Sequence, residues 1–337
     1  MKRYSLAVLF GFALVLMSYE CAFCKPIPIR NQMPLYLFYL QMEPDKAGVT
    51  EKDKFDIDAD YTVSNVTVSC FTPDTSMYNI NIDAEVSRVT LDLRYGVFEN
   101  FEAGLEAPYL ILSRGYLDSF VEDFEDAIGA RTPRSRIRQG TNNYNYSFIY
   151  NGQDLINKKS ASDGLGDMAL KAKYRIIEEE EGFFAPNVSI RSALKLPTGR
   201  KRDLLGSGEF DWGLGVIADK SFSKRMSFYC GLNVVFIQKP DFFSALNIKK
   251  EIASGFIGIE YFFTERFSLV AQVSGNTTPY PDSGTNALDE SAGDVSFGIN
   301  YIWKEKRNVS WRFAFTENIN SASSPDVSFN TGWDVGF

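Results

Sequence analysis

Histidine is absent from the chain. Ser-His-Asp and Cys-His nucleophile systems need an imidazole to take the nucleophile's proton, so both are excluded, and histidine general-base chemistry with them. Histidine-containing zinc sites go the same way. Cysteine is scarce, with four residues in 337. Removal of the first 24 residues would leave Cys70 and Cys230, too few for a four-cysteine zinc site. Two lone buried thiols are expected, although an oxidising compartment would permit a disulfide. Long apolar runs are missing as well. Beyond the opening residues no stretch reaches the ~18 consecutive apolar positions that a transmembrane helix needs. A net charge of −8 argues against a nucleic-acid partner. No catalytic residue, cofactor-binding set or metal-ligating set is assigned.

The opening "MKRYSLAVLFGFALVLMSYECAFC" is what stands out first. A Lys-Arg start, an apolar core from Leu6 to Met17 and a small-residue site before Lys25 form a secretory signal over residues 1–24. The chain as a whole has unremarkable composition, with 45% hydrophobic residues and a mean hydropathy of −0.17. A barrel that shows lipid only one side of each strand has the same average as a soluble protein, so hydropathy excludes neither.

Periodicity separates them. The final residues, "DVSFNTGWDVGF", put Val327, Phe329, Trp333, Val335 and Phe337 on one face of a strand. Comparable period-two segments recur from Phe55, beginning with "FDIDADYTV" and "RVTLDLRYGV", and total about twelve, each long enough for a tilted wall of roughly 9–11 residues. Links between them alternate. Short ones follow Val97, Ile177, Asp219, Phe263 and Trp303; long ones occupy 69–77, 113–165, 198–209, 238–250, 278–292 and 317–325. Short periplasmic turns and long extracellular loops produce this alternation if Phe337 ends on the periplasmic side. Tyr95, Tyr174, Tyr261, Tyr301, Trp303, Trp311 and Trp333 then gather at the inner rim as an interfacial girdle. The expected fold is all-β: a transmembrane antiparallel barrel of about twelve strands over residues 55–337. A soluble sandwich is the rival.

Two local features add detail. Tyr78, Ile80, Ile82, Ala84 and Val86 alternate in the opposite phase to Val89, Leu91 and Leu93, which predicts a bulge or turn near Glu85 to Arg88. In the longest loop, Leu117, Phe120, Val121, Phe124 and Ile128 fall on one helical face, predicting an extracellular amphipathic helix, either a lid over the mouth or packing without a role. The stretch "NYNYSFIY" is expected to extend the wall above the membrane.

With apolar faces outward, Lys171, Lys173, Arg175, Arg191 and Lys195 form a basic ladder facing the lumen. Arg94 and Arg312 join it elsewhere, opposite acids that include Asp56, Asp58, Asp60, Asp92, Glu102, Glu106, Asp219, Glu260, Asp294 and Asp334. Such rows either pair across the lumen and fill it or line a charged conducting path. Residues 25–54 precede the first strand, and their "MPLYLFYL" is too apolar to hang in water. They are expected to fold into the barrel as a plug, with Arg30 and Asn31 bonded to lumen groups, or to pack on the periplasmic rim.

Several stretches together resemble one bacterial family of outer-membrane β-barrels with no assigned function: "KPIPIRNQMPL", "SRGYLDSFVEDFEDAIG", "RTPRSRIR", "DGLGDMALKAKYRI", "ALKLPTGR" and "LLGSGEFDWGLG". The last three also resemble barrels associated with meta-pathway degradation of aromatic compounds such as phenol. The resemblance implies a Gram-negative outer-membrane location, contact with outer-membrane lipid and a passive channel or transporter for small molecules, hydrophobic ones included. It implies no catalytic residue and leaves the solute unnamed. The alternative is a non-conducting barrel that binds a ligand or partner or supports the envelope. The C-terminal strand ending in Phe337 is the expected handle for the barrel-assembly machinery.

Overall fold

The computed structural model describes residues 25–71, 77–128, 143–179, 185–223, 225–280, 283–303, 308–319 and 323–337. The expected signal segment, residues 1–24, lies outside them, as does "RTPRSRIR". Fifteen strands form one sheet. In chain order they are β1 (Phe55–Phe71), β2 (Tyr78–Phe98), β3 (Phe101–Ser113), β4 (Asn145–Tyr150), β5 (Gln153–Lys158), β6 (Ser162–Leu165), β7 (Ala169–Ile177) and β8 (Asn187–Lys195). There follow β9 (Asp211–Ser223), β10 (Met226–Phe236), β11 (Glu251–Phe262), β12 (Phe267–Asn276), β13 (Ala292–Trp303), β14 (Asn308–Asn318) and β15 (Val327–Gly336).

The sheet closes on itself. Strand β1 pairs antiparallel with both β2 and β15, and β2 pairs onward through β3 to β7, so β1, β2, β3 and β7 to β15 make a ring of twelve. Closure leaves no edge whose backbone N–H and C=O groups would sit unpaired in hydrocarbon. Strands β4 and β5 form a hairpin on the outer end of β2, and β6 caps the outer end of β3, so "NYNYSFIY" does extend the wall.

Burial is inverted relative to a soluble protein. Leu91, Leu93, Val216, Ile257 and Ile259 are exposed, whereas Asp92, Arg94, Lys173 and Arg191 are buried. A dissolved sandwich would cover the first set and hydrate the second. Only lipid outside and a filled interior make sense of it. At the periplasmic rim Trp303 and Trp333 stack at 5.2 Å, and Phe55 meets Tyr95 at 4.7 Å, giving the expected aromatic girdle. Cys70 and Cys230 are free thiols.

No bulge interrupts β2 near Glu85 to Arg88. The β1–β2 register runs unbroken from Phe55↔Tyr95 to Phe71↔Asn79. Even-numbered residues of β2 point inward throughout; what changes is the filling they meet. In the membrane-level half the inner face holds Thr90, Asp92 and Arg94, while above it Ile80, Ile82 and Val86 pack into an apolar core. Outward, Asn79 and Asn81 meet water where Leu91 meets lipid. A strand longer than the membrane thus swaps its polar and apolar faces without slipping. Register shifts occur elsewhere, between Gly96 and Phe98 and between Arg175 and Ile177 at the periplasmic ends.

The helix α1 (Leu117–Ile128) forms in the longest loop, but it does not cover the mouth. Phe120 meets Phe329 on the outer face of β15 at 5.8 Å, and outward-pointing Asn65 of β1 donates to Asp118 at 2.7 Å. Glu85 accepts the N–H groups of Tyr116 and Leu117 at 2.9 and 3.0 Å, satisfying the start of the helix. Polar Asn65 and Glu85 on the outer wall give α1 its seat there.

Candidate functional site: the lumen and the segment inside it

Residues 25–54 run up the lumen and back down. Lys25 begins at the periplasmic end, pairing with Asp334 and lying 3.4 Å from Asp56 and 3.7 Å from Asp58. Higher up, the Ile27 N–H donates to Gln272 Oε1 at 3.0 Å, and Gln272 Nε2 donates to the Ile27 carbonyl at 2.9 Å. Arg30 pairs with Glu106 of β3 and with Glu43 of the returning leg. Asn31 donates to the Ser323 carbonyl at 2.8 Å in the loop before β15 and accepts the Met33 N–H at 2.9 Å.

The turn at the top is the apolar stretch Met33 to Leu40. It packs among the inward side chains Val66, Val68, Ile80, Ile82 and Phe148 and the loop residues Phe243 and Tyr280. Phe38 meets Phe242 edge-on at 4.9 Å, and the Tyr280 hydroxyl donates to the Leu35 carbonyl at 2.9 Å. This is the surface that could not stay in water, and its burial explains why the upper inner face of β1 and β2 turns apolar.

The descending leg is held by charge. Lys195 donates to the Phe38 carbonyl and pairs with Asp211 at 2.9 Å, and the same carboxylate accepts the Leu40 N–H at 2.9 Å and the Gln238 N–H at 3.0 Å. Lys171 lies 2.7 Å from Glu43, 3.1 Å from Asp92 and 2.6 Å from Glu106. Lys173 bridges Asp45 at 3.0 Å and Glu102 at 2.9 Å, and Arg94 reaches the same Asp45 at 3.0 Å. Arg191 donates to Asn233 at 2.8 Å and to the Met42 carbonyl at 3.4 Å. Below, Thr50 N–H donates to Glu102 at 2.6 Å, and Lys52 bridges Gly96 before β1 begins. A Cβ at Gly96 would overlap the backbone of Thr50 and Glu51, so this crossing requires glycine.

Four of the five ladder residues therefore face the segment's own acids and carbonyls. Arg175 stands apart, bonded to Asn100 at 3.0 Å and Glu178 at 3.0 Å at the periplasmic rim. Burial alone would raise the Asp45 carboxyl, but Arg94, Lys173 and Arg191 hold it well below the usual carboxylate range. Burial alone would lower the Lys25 ammonium, yet Asp334, Asp56 and Asp58 hold it above its ordinary value.

One row of like charge depends on this arrangement. Asp92, Asp58 and Asp334 stand directly opposite one another on β2, β1 and β15. Such a row is destabilising unless cations intervene. Arg94 takes Asp92 at 2.8 Å, Arg312 takes Asp58 and Asp60, and Lys25 takes Asp334.

The glycine-rich motifs find a mechanical meaning. Asp167 of "GLGD" accepts the Gly199 N–H of "LPTG" at 2.8 Å and the Ser207 N–H of "LLGSG" at 3.0 Å. It also lies 3.3 Å from Lys195, so one carboxylate ties two outer loops to the residue that grips Phe38. Sequence reasoning singled out Arg30 and Asn31 but missed Lys25, Glu43 and Asp45. The signal for them was an acid-rich "MEPDK" with no hydrophobic partner, following an apolar run that had to be buried.

Among the described residues, voids flank the descending leg on both sides: one is lined by Arg94, Lys171, Lys173 and Arg191, and another lies toward β10 to β13.

This geometry sets the terms of comparison with known proteins. The chain belongs to the DUF3187 family of proteins of unknown function, whose profile matches residues 7–337. Among solved structures it is similar to the COG4313 outer-membrane channel from Pseudomonas putida F1, at 12% identity and a TM-score of 0.55, covering 89% of this chain and 98% of that one. The NanC porin matches at 9% identity and a TM-score of 0.45, covering 83% and 98%. The Pseudomonas putida toluene transporter TodX matches at 9% and 0.37, covering 86% and 90%. No curated protein matches. At such low identity the first of these likenesses establishes the fold alone, a twelve-stranded antiparallel barrel.

Proposed function

We propose that this DUF3187 protein is a passive outer-membrane channel for small molecules, closed at rest by residues 25–54. The observation that carries this reading is how the segment is held. Among the described residues, its legs join the wall's backbone only at the Gly96 crossing, beside Lys52; elsewhere side-chain ion pairs and single hydrogen bonds hold them, at Lys171–Glu43, Lys173–Asp45 and Gln272–Ile27. Contacts of that kind separate as units and leave the closed sheet intact. The wall behind them is charged on both sides, so the opened lumen would be wet and field-bearing. Catalysis is not part of the proposal. The last strand, ending on Phe337, is the proposed handle for the barrel-assembly machinery.

A second reading, a non-conducting barrel whose loops meet a partner, draws support from the depth of packing at Met33, Leu35 and Phe38, all fully buried. Planar-bilayer recording separates the two. Deleting residues 26–50 should raise single-channel conductance severalfold above the intact chain. Equal conductance in both chains would remove the plug, and silence in both would favour the second reading.

A further inference from the structure

The void toward β10 to β13 contains a carboxylate without a counter-charge. Asp294 of β13 lines this space between the segment's two legs and the inner faces of β10 to β13. It is 7% exposed, and among the described residues it forms no ion pair; its polar neighbour is Ser324. Arg30 lines the same void but is committed to Glu43 and Glu106. Every other acid facing the segment's legs described above has a cation or backbone N–H group on it. A buried carboxylate left alone is costly, and a ligand that brings a positive charge relieves that cost.

The rest of the lining narrows the ligand. Val235, Ile252 and Phe256 offer an apolar wall, and Tyr36 and Asn276 add polar groups near the upper end. A divalent metal fits poorly: it wants several oxygen ligands, and no group of three or more acidic, histidine or cysteine side chains gathers among the described residues. We infer that this void binds a small primary ammonium ion carrying an alkyl or aryl body, with Asp294 as its anchor. The inference rests on the channel reading for the ligand's route and on nothing else in it.

Equilibrium dialysis of the full chain in detergent tests it, with phenethylamine as probe and phenethyl alcohol and phenylacetate as neutral and anionic matches. The amine should be retained at one equivalent and at least tenfold more tightly than the alcohol. Asp294→Asn should erase that preference. Ile252→Trp, which fills the void and leaves the carboxylate, should abolish retention and guards against a folding defect in the first variant. Equal retention of amine and alcohol overturns the proposal, as does a preference that survives both substitutions. Bilayer conductance of the chain lacking residues 26–50 is measured in parallel. Conductance without amine preference removes this site alone; amine preference without conductance removes the channel reading alone.

Discussion

Gln272 satisfies both backbone groups of Ile27, accepting its N–H at 3.0 Å and donating to its carbonyl at 2.9 Å. One side chain of the wall thereby does for the ascending leg what a neighbouring strand would do. Gln272→Leu removes both bonds and leaves two buried backbone groups unpaired, a loss of about 2 kcal/mol. In a background lacking Cys70 and Cys230, an Ile27→Cys thiol should react with a water-soluble maleimide roughly tenfold or more faster when Gln272 is also replaced. Unchanged labelling would mean that the leg is held by other contacts.

Neutralising Lys171, Lys173 and Arg191 together tests the descending leg. Each faces an acid or carbonyl of residues 42–46, so the triple Gln variant leaves Glu43 with Arg30 and Asp45 with Arg94 as their remaining cations. Breaking a single buried pair costs about 3–5 kcal/mol, less where water enters. Conductance of the full-length variant should approach that of the chain lacking residues 26–50, with a shift toward cation preference. A trace identical to the unmodified protein would detach the ladder from both closure and conduction.

Acidity gives a third test. Asp45 is held below its unfolded value, so its contribution is present above about pH 4 and is lost only as pH falls through the depressed folded value. Lys25 is held above its unfolded value, so its contribution is complete below about pH 10 and is lost as pH rises through the elevated one. These two groups leave closure flat between pH 5 and 9. Conductance recorded across that window should not vary through them, and opening through these groups should come only in strong acid or strong base. A step near neutrality would assign the gate to other groups.

The seat of α1 is tested separately from the lumen. Glu85→Ala strips the acceptor from the Tyr116 and Leu117 N–H groups and should cost roughly 1 kcal/mol of helix stability, as cap losses do. Chymotrypsin should then cut near Tyr116 or Phe120 several times faster, while conductance stays as before because the helix lies on the outer wall. A changed conductance would move α1 back toward the mouth.

Much of this architecture is legible in the residues themselves. Strand count, the alternation of link lengths and the rim aromatics all follow from period-two patterning and from the fact that lipid and lumen sit on opposite faces. The reading failed at β2, where Ile80 and Ile82 looked out of phase. Periodicity records which face is apolar, and it is silent on whether lipid or a packed interior makes it so. For α1 it left a lid and packing without a role both open, since an amphipathic helix states that it has a greasy side and not which surface receives it. Arg30 and Asn31 stood out because they interrupt an apolar segment. Glu43, Asp45 and Lys25 were not, because solvated loops carry the same charges and only the pairing with Lys171, Lys173 and Asp334 distinguishes them.

Lys25 sits where the first and last strands of the wall meet, and this has a consequence for biogenesis. Zipping β15 onto β1 brings Asp334 opposite Asp58, and that union is repulsive until the ammonium of Lys25 arrives between them. The final joint of the cylinder and the arrival of Lys25 are then a single event. A newly made chain would close its wall around a segment of itself already in place, and Lys25→Ala should slow that closure.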